Sequence, residues 1–307
     1  MQQAFFATLS QMAVLILMMM IGFILKRKKI TDQATGKILS QLQSYVIMPA
    51  LVFQTFSQKL TRGILTGEMI TLIYGVLALA VSLALAVLLA RFFTKDRYIK
   101  NIYIYSFTIA NLGYMGYSIV GAVFGQDMLF KMMVFAIPFN IFIYSAGFAM
   151  LIPGDGKCSW KTLVNPIFIA MLLGSAAGLL ELPIPSFLTT TLSSLSNCMG
   201  PLAMLLTGFI IAEYNIKEML SGSRIYIASL LRLVAIPVVV LLILKLCGAG
   251  PDLLLVALGT TAMPLGLNTV VFPAAYGGDT RTGASMALIS NILGILTIPV
   301  MFAIFLT

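Results

Sequence analysis

The chain has 307 residues, of which 60% are hydrophobic and only 9% are Asp, Glu, Lys or Arg, against about 25% charged in an ordinary soluble domain. Nineteen basic and ten acidic side chains cannot cover a particle of this size, so a water-soluble globule is excluded and lipid is the expected solvent for most of the surface. The absence of histidine removes the Ser-His triad, His-ligated zinc and the imidazole proton relay as well.

A helix spanning a bilayer needs about 20 largely apolar residues, and the sequence predicts ten such runs. The first, at about 4–25, follows no positive charge and is itself followed by Lys26, Arg27, Lys28 and Lys29. That is the reverse of a signal peptide's charge order, and it reads as a span whose C-terminal end stays in the cytoplasm. Runs two to five fall at about 37–57, 67–92, 101–125 and 130–152, and runs six to ten at about 162–180, 187–213, 224–247, 252–276 and 282–306. The expected fold is an all-α polytopic membrane protein with both termini outside.

The basic residues support that topology. Inside loops and span ends hold Lys26, Arg27, Lys28, Lys29, Lys37, Arg91, Lys95, Arg97, Lys100, Lys157, Lys161, Lys217, Arg224 and Arg281. Outside there are four, Lys59, Arg62, Lys131 and Lys245, and Arg232 alone lies within a span. The net charge of +9 therefore orients the chain in a plasma (inner) membrane and does not mark a nucleic-acid partner, which needs a basic soluble face. Cys158, Cys198 and Cys247 are odd in number and lack metal-ligand spacing, so neither a disulfide framework, a metal nor a cofactor is expected. Every acid falls at a loop or span end, among them Asp127, Glu213 and Asp279. Without a carboxylate at mid-membrane there is no group for an intramembrane protease, and none of the usual kind for proton coupling.

A shift of 152 residues superposes Gly22 on Gly174, Pro49 on Pro201, Gly125 on Gly277 and Asp127 on Asp279. The chain divides accordingly into a first repeat, 1–152, and a second, 153–307. Five spans per repeat is an odd number, so the second copy is expected upside down, the inverted plan of many secondary transporters.

The fourth run of each repeat is interrupted. TIANLGYMGYSIVGAVFG (108–125) carries Asn111, Gly113, Gly116 and Ser118, and TTAMPLGLNTVVFPAAYGGD (260–279) carries Pro264, Gly266, Asn268, Thr269 and Pro273. Glycine and proline weaken or remove the hydrogen bonds of a spanning helix, and bare backbone at that depth survives only when covered by protein or lining a wet cavity. Two broken helices meeting near the centre would aim freed peptide groups and half-helix N-termini at a ligand, and such ends favour an anion. Tyr114, Tyr117, Ser118 and Thr269 could donate to a carboxylate. The other reading of Asn111 and Asn268 is interhelical hydrogen bonding without a ligand; their pairing in opposite repeats favours the site. Pro49 and Pro201 either kink their spans or make room beside the crossing. Arg232 either snorkels to the interface or reaches an anionic substrate or a carboxylate such as Glu213.

GFILKRKKI after the first run, VIMPALVFQTFS in the second, NLGYMGYSIVGAVFG in the fourth, NPIFIAMLLG opening the sixth and MPLGLNTVVFPAAYGGD in the ninth resemble the auxin efflux carrier family over essentially the whole chain. The resemblance implies two inverted five-helix repeats, with spans 1, 2, 6 and 7 as a scaffold and spans 3, 4, 5, 8, 9 and 10 as a moving transport domain. Broken helices four and nine would cross at the site, and members often form homodimers. By matching position, Asn111, Gly113 and Gly116 would belong to the first crossover, and Pro264, Gly266, Asn268 and Thr269 to the second. The family usually has a proline where this chain has Ser118, and a serine can continue the helix. The expected function is alternating-access transport of a small organic anion, as potential-driven uniport. A sodium-coupled symporter and a ligand sensor that moves nothing are the alternatives.

Overall fold

An apolar run in lipid can satisfy its backbone N–H and C=O groups only as a helix or within a closed barrel, and the regular structure of the described residues is helical, apart from one isolated antiparallel bridge between Ala110 and Leu265. The computed structural model describes residues 2–32, 34–60, 62–153, 166–220, 222–266, 268–276 and 278–305. Lys157, Lys161, Cys158 and Gly277 lie outside the described residues, as does the side chain of Tyr114.

The first half opens with α1 (Gln2–Arg27), then α2 (Thr35–Leu42) and α3 (Met48–Lys59) joined by a π-turn at Gln43–Ile47, then α4 (Arg62–Ala90). α5 (Arg97–Thr108) starts on Asp96, whose Oδ1 accepts from the Ile99 N–H at 2.8 Å. A π-turn at Leu112–Gly116 leads into α6 (Tyr117–Phe135), and α7 (Ile137–Phe142) and α8 (Phe148–Leu151) flank another at Ile143–Gly147. The second half holds α9 (Pro166–Leu179), α10 (Ser186–Asn197), α11 (Met199–Ala212), α12 (Ile216–Met219) and α13 (Ser223–Leu230). After the π-turn Leu231–Ala235 come α14 (Ile236–Leu246), α15 (Pro251–Thr261), α16 (Asn268–Tyr276) and α17 (Arg281–Phe305).

Six stretches of the described residues are long and apolar enough to cross a membrane: Leu9–Arg27, Glu68–Ala90, Tyr117–Phe135, Ser186–Ala212, Ser223–Leu246 and Arg281–Phe305. Ile137–Leu151, Pro166–Leu179 and Pro251–Thr261 are shorter apolar helices. The loop expected between runs four and five is reduced to one residue: Tyr117–Phe135 divides into two helices at Gly125, whose φ of 85° and ψ of 176° lie in a region open essentially to glycine alone.

Two π-turns precede prolines. Pro49 and Pro237 offer no N–H to the carbonyls of Tyr45 and Leu233, and their rings crowd those carbonyls. The wider turns at Gln43–Ile47 and Leu231–Ala235 fall on those very residues and absorb the misfit.

The most extensive helix pairings are α1 with α11 and α3 with α9. Both depend on glycine. A Cβ added at Gly22 would stand 2.2 Å from the Leu205 carbonyl oxygen, and one at Gly174 would stand 2.7 Å from that of Phe53. These are one contact seen twice, since 22 and 174, like 53 and 205, are 152 apart. The same spacing links Lys29 (φ 55°) and Glu181 (φ 50°), the non-glycine residues with left-handed backbone among the described residues. They end α1 and α9 with matching closures, Ile30 N–H to Leu25 O at 3.1 Å and Leu182 N–H to Ala177 O at 3.0 Å.

Candidate functional site

α5 stops at Thr108, where Ile109 turns extended (φ −108°, ψ 123°), and helical geometry resumes at Leu112. α15 stops at Thr261, because Pro264 lacks a donor and disfavours helical backbone at Met263. Helix resumes there only at Asn268. The first break is the shorter of the two, and Ser118 lies within α6.

The breaks meet. The Asn111 N–H donates to the Pro264 carbonyl at 2.7 Å, beside the Ala110–Leu265 bridge. Gly266 lies against the first break, with Asn111 Cα 3.6 Å from where its Cβ would be. Gly116 permits a close approach: an added Cβ would be 2.8 Å from the Gly259 carbonyl oxygen on α15. Asn268 Nδ2 donates to the Tyr105 hydroxyl at 3.0 Å, so its amide braces the crossing. Thr269 is buried and its hydroxyl donates to the Gly266 carbonyl at 3.1 Å, closing the start of α16. Asn111 differs from both: it is 3% exposed and its Nδ2 has no hydrogen-bond partner.

A cavity of about 470 Å³ opens beside the first break, walled by α1, α3, α6, α10 and α11. Tyr117 and Ser118 line it immediately after the π-turn, with Gly121 and Gln126 further along α6. α3 contributes Gln54, Thr55, Gln58 and Lys59, α1 contributes Gln11, and α10 contributes Ser193, Ser196 and Asn197. Gln54 is fixed by Ser193 and Ser196: it donates to the Ser193 hydroxyl at 2.6 Å and accepts from that of Ser196 at 2.9 Å. No acid is among the described lining residues, and the one cation, Lys59, pairs with Asp127 at 2.7 Å near the Gln126 end. Pro201 also lines the cavity and denies an N–H to the Asn197 carbonyl four residues back. A second void of about 30 Å³, room for one water, lies behind Tyr117, between Gly113, Asn140 and the helices α3 and α9.

Of the residues expected at the site, Asn111, Pro264 and Gly266 are brought together, Gly116, Asn268 and Thr269 support the crossing, and Ser118 and Pro201 line the cavity. Gly113 faces the smaller void, and Pro49 is in neither lining. Arg232 reaches neither the interface nor Glu213. It is 1% exposed and donates from Nη1 to the Thr261 carbonyl at 2.7 Å, while Glu213 pairs with Lys26 at 3.0 Å. The sequence reading missed Gln11, Gln54, Gln58, Gln126, Ser193 and Ser196. Their signal was polar spacing on apolar helices: Gln54 and Gln58 are four apart, and Ser193, Ser196 and Asn197 share one face.

The sequence matches the family described as membrane transport protein twice, over residues 7–158 and 155–302. It is 25% identical over 306 residues to an uncharacterized transporter of Methanocaldococcus jannaschii, covering 93% of this chain and 94% of the relative.

Proposed function

The chain belongs to the membrane transport protein family, that of the auxin efflux carriers, and it is a multi-pass membrane protein; on that premise we propose that it moves a small organic anion across the membrane by alternating access. The observation that carries this reading is the cavity beside the paired breaks, whose described lining holds amides, hydroxyls and one lysine among apolar side chains but no acid. Such a lining repels no carboxylate and supplies several donors to one. The half-helix starting at Leu112, one turn ahead of the lining residues Tyr117 and Ser118, has N–H groups that its first turn leaves without helical partners.

Asn111, Gly113, Tyr114, Gly116, Ser118, Pro264, Gly266, Asn268 and Thr269 form the substrate site in this reading, with Pro49 and Pro201 shaping the space beside it. The chain makes ten crossings as two inverted five-helix repeats, in a plasma membrane with both termini outside. The double family match and the contacts repeated at a spacing of 152 residues support the repeat. Spans 1, 2, 6 and 7 form the scaffold, and spans 3, 4, 5, 8, 9 and 10 form the moving bundle. The scaffold also supports a homodimer. The cavity falls between the two groups, where movement of one against the other would close it.

Export is by uniport. The membrane potential contributes about 2.3 kcal/mol per charge per 100 mV, enough to drive a monoanion outward. The test is efflux from proteoliposomes with sodium replaced by potassium. Unchanged efflux is expected, and loss of efflux without sodium would replace uniport by symport.

A further inference from the structure

Arg232 is the one basic residue that the sequence places inside a span, and the structure buries it almost completely, 1% exposed, in the π-turn Leu231–Ala235. A guanidinium keeps its proton under essentially all conditions in proteins, so this is a permanent positive charge. Arg232 is in none of the ion pairs Lys26–Glu213, Lys59–Asp127 and Lys131–Asp252. Its Nη1 donates to the carbonyl of Thr261, the last residue of α15, while Nε and Nη2 have no hydrogen-bond partner. The negative end of a half-helix favours a cation but carries only a partial charge. The segment holding Arg232 packs against α5 and α17, both in the group of helices proposed above to move. The first repeat has no equivalent charge, since Ala80 stands 152 residues earlier.

We propose that Arg232 is the moving charge of the carrier. This rests on the alternating-access reading. The empty bundle carries one positive charge through the membrane field. With a monocarboxylate bound it is neutral, and with a dicarboxylate it carries one negative charge. A negative interior therefore draws the empty bundle back inward after release outside, and leaves the step loaded with a monoanion indifferent to voltage. Net charge moved per cycle is still that of the substrate; Arg232 decides which half of the cycle feels the potential.

The test needs no substrate. In voltage-clamped cells expressing the full chain, voltage steps are applied and the displaced charge is integrated. The wild type is expected to show a saturable displacement whose two-state ratio changes by up to about 50-fold per 100 mV for a full crossing. Arg232→Lys retains it and Arg232→Gln loses it. Ser229→Asp places a carboxylate three residues before Arg232, on the same face, and loses it with the guanidinium still present. Movement is read separately, by labelling Ser118→Cys from each side with a membrane-impermeant thiol reagent, the native cysteines having been replaced. Labelling from one face only would overturn alternating access, and this inference with it. Labelling from both faces with no displaced charge in the wild type, or with undiminished charge in Arg232→Gln or Ser229→Asp, would overturn this inference alone.

Discussion

Asn111 keeps a buried amide nitrogen without a hydrogen-bond partner, which costs about 1–3 kcal/mol. A group retained for stability would not be left so. Asn111→Ala removes that penalty, so thermal unfolding is expected to stay unchanged or rise by a few degrees while carboxylate efflux falls at least tenfold. A coupled loss of both would make Asn111 a packing residue. Asn268 makes the opposite case, since its amide is bonded to Tyr105. Asn268→Ala should lower stability by about 1 kcal/mol as well as transport, read by the same two measurements. The paired asparagines were legible in the sequence because each stands in a Gly- or Pro-broken segment. Their different bonding was not, because it depends on Tyr105, 163 residues away from Asn268. The cavity glutamines left only a weak signal, the four-residue spacing of Gln54 and Gln58, because a glutamine near the end of an apolar run looks like any interfacial residue until neighbouring helices enclose it.

Elements break here for two different causes, and only one is written locally. At the second break Met263-Pro264 forbids helix from sequence alone. At the first, Asn111 and Gly113 merely permit it, and pairing with Pro264 holds the chain open. The π-turns before Pro49 and Pro237 were not anticipated, although the prolines were visible, because a proline misfit can be taken up as a kink or as a wider turn. Close helix contact through glycine gives a sharp test at this scale. Gly22→Val and Gly174→Val each drive a side chain into a facing carbonyl and should cost at least about 2 kcal/mol, seen as loss of monodisperse protein on size exclusion. Gly36→Ala, which meets nothing within 4 Å in α2, should be neutral or stabilise by roughly 0.5–1 kcal/mol.

At the scale of the molecule, the spacing of 152 residues read from four landmarks reappears in contacts that no residue identity announces, such as the left-handed ends at Lys29 and Glu181. Composition and hydropathy sufficed for an all-helical membrane protein, since 9% charge leaves few other solutions. They could not place the cavity, which arises where α3, α6 and α10 enclose their polar faces together. The central claim, that this chain carries small organic anions through that space, is tested most directly by efflux of labelled mono- and dicarboxylates from proteoliposomes under an imposed potential. The expected result is saturable efflux of at least one carboxylate that rises with interior-negative potential and falls at least tenfold in Asn111→Ala. Saturable binding of carboxylates with no flux under any imposed gradient would contradict it and make the protein a sensor.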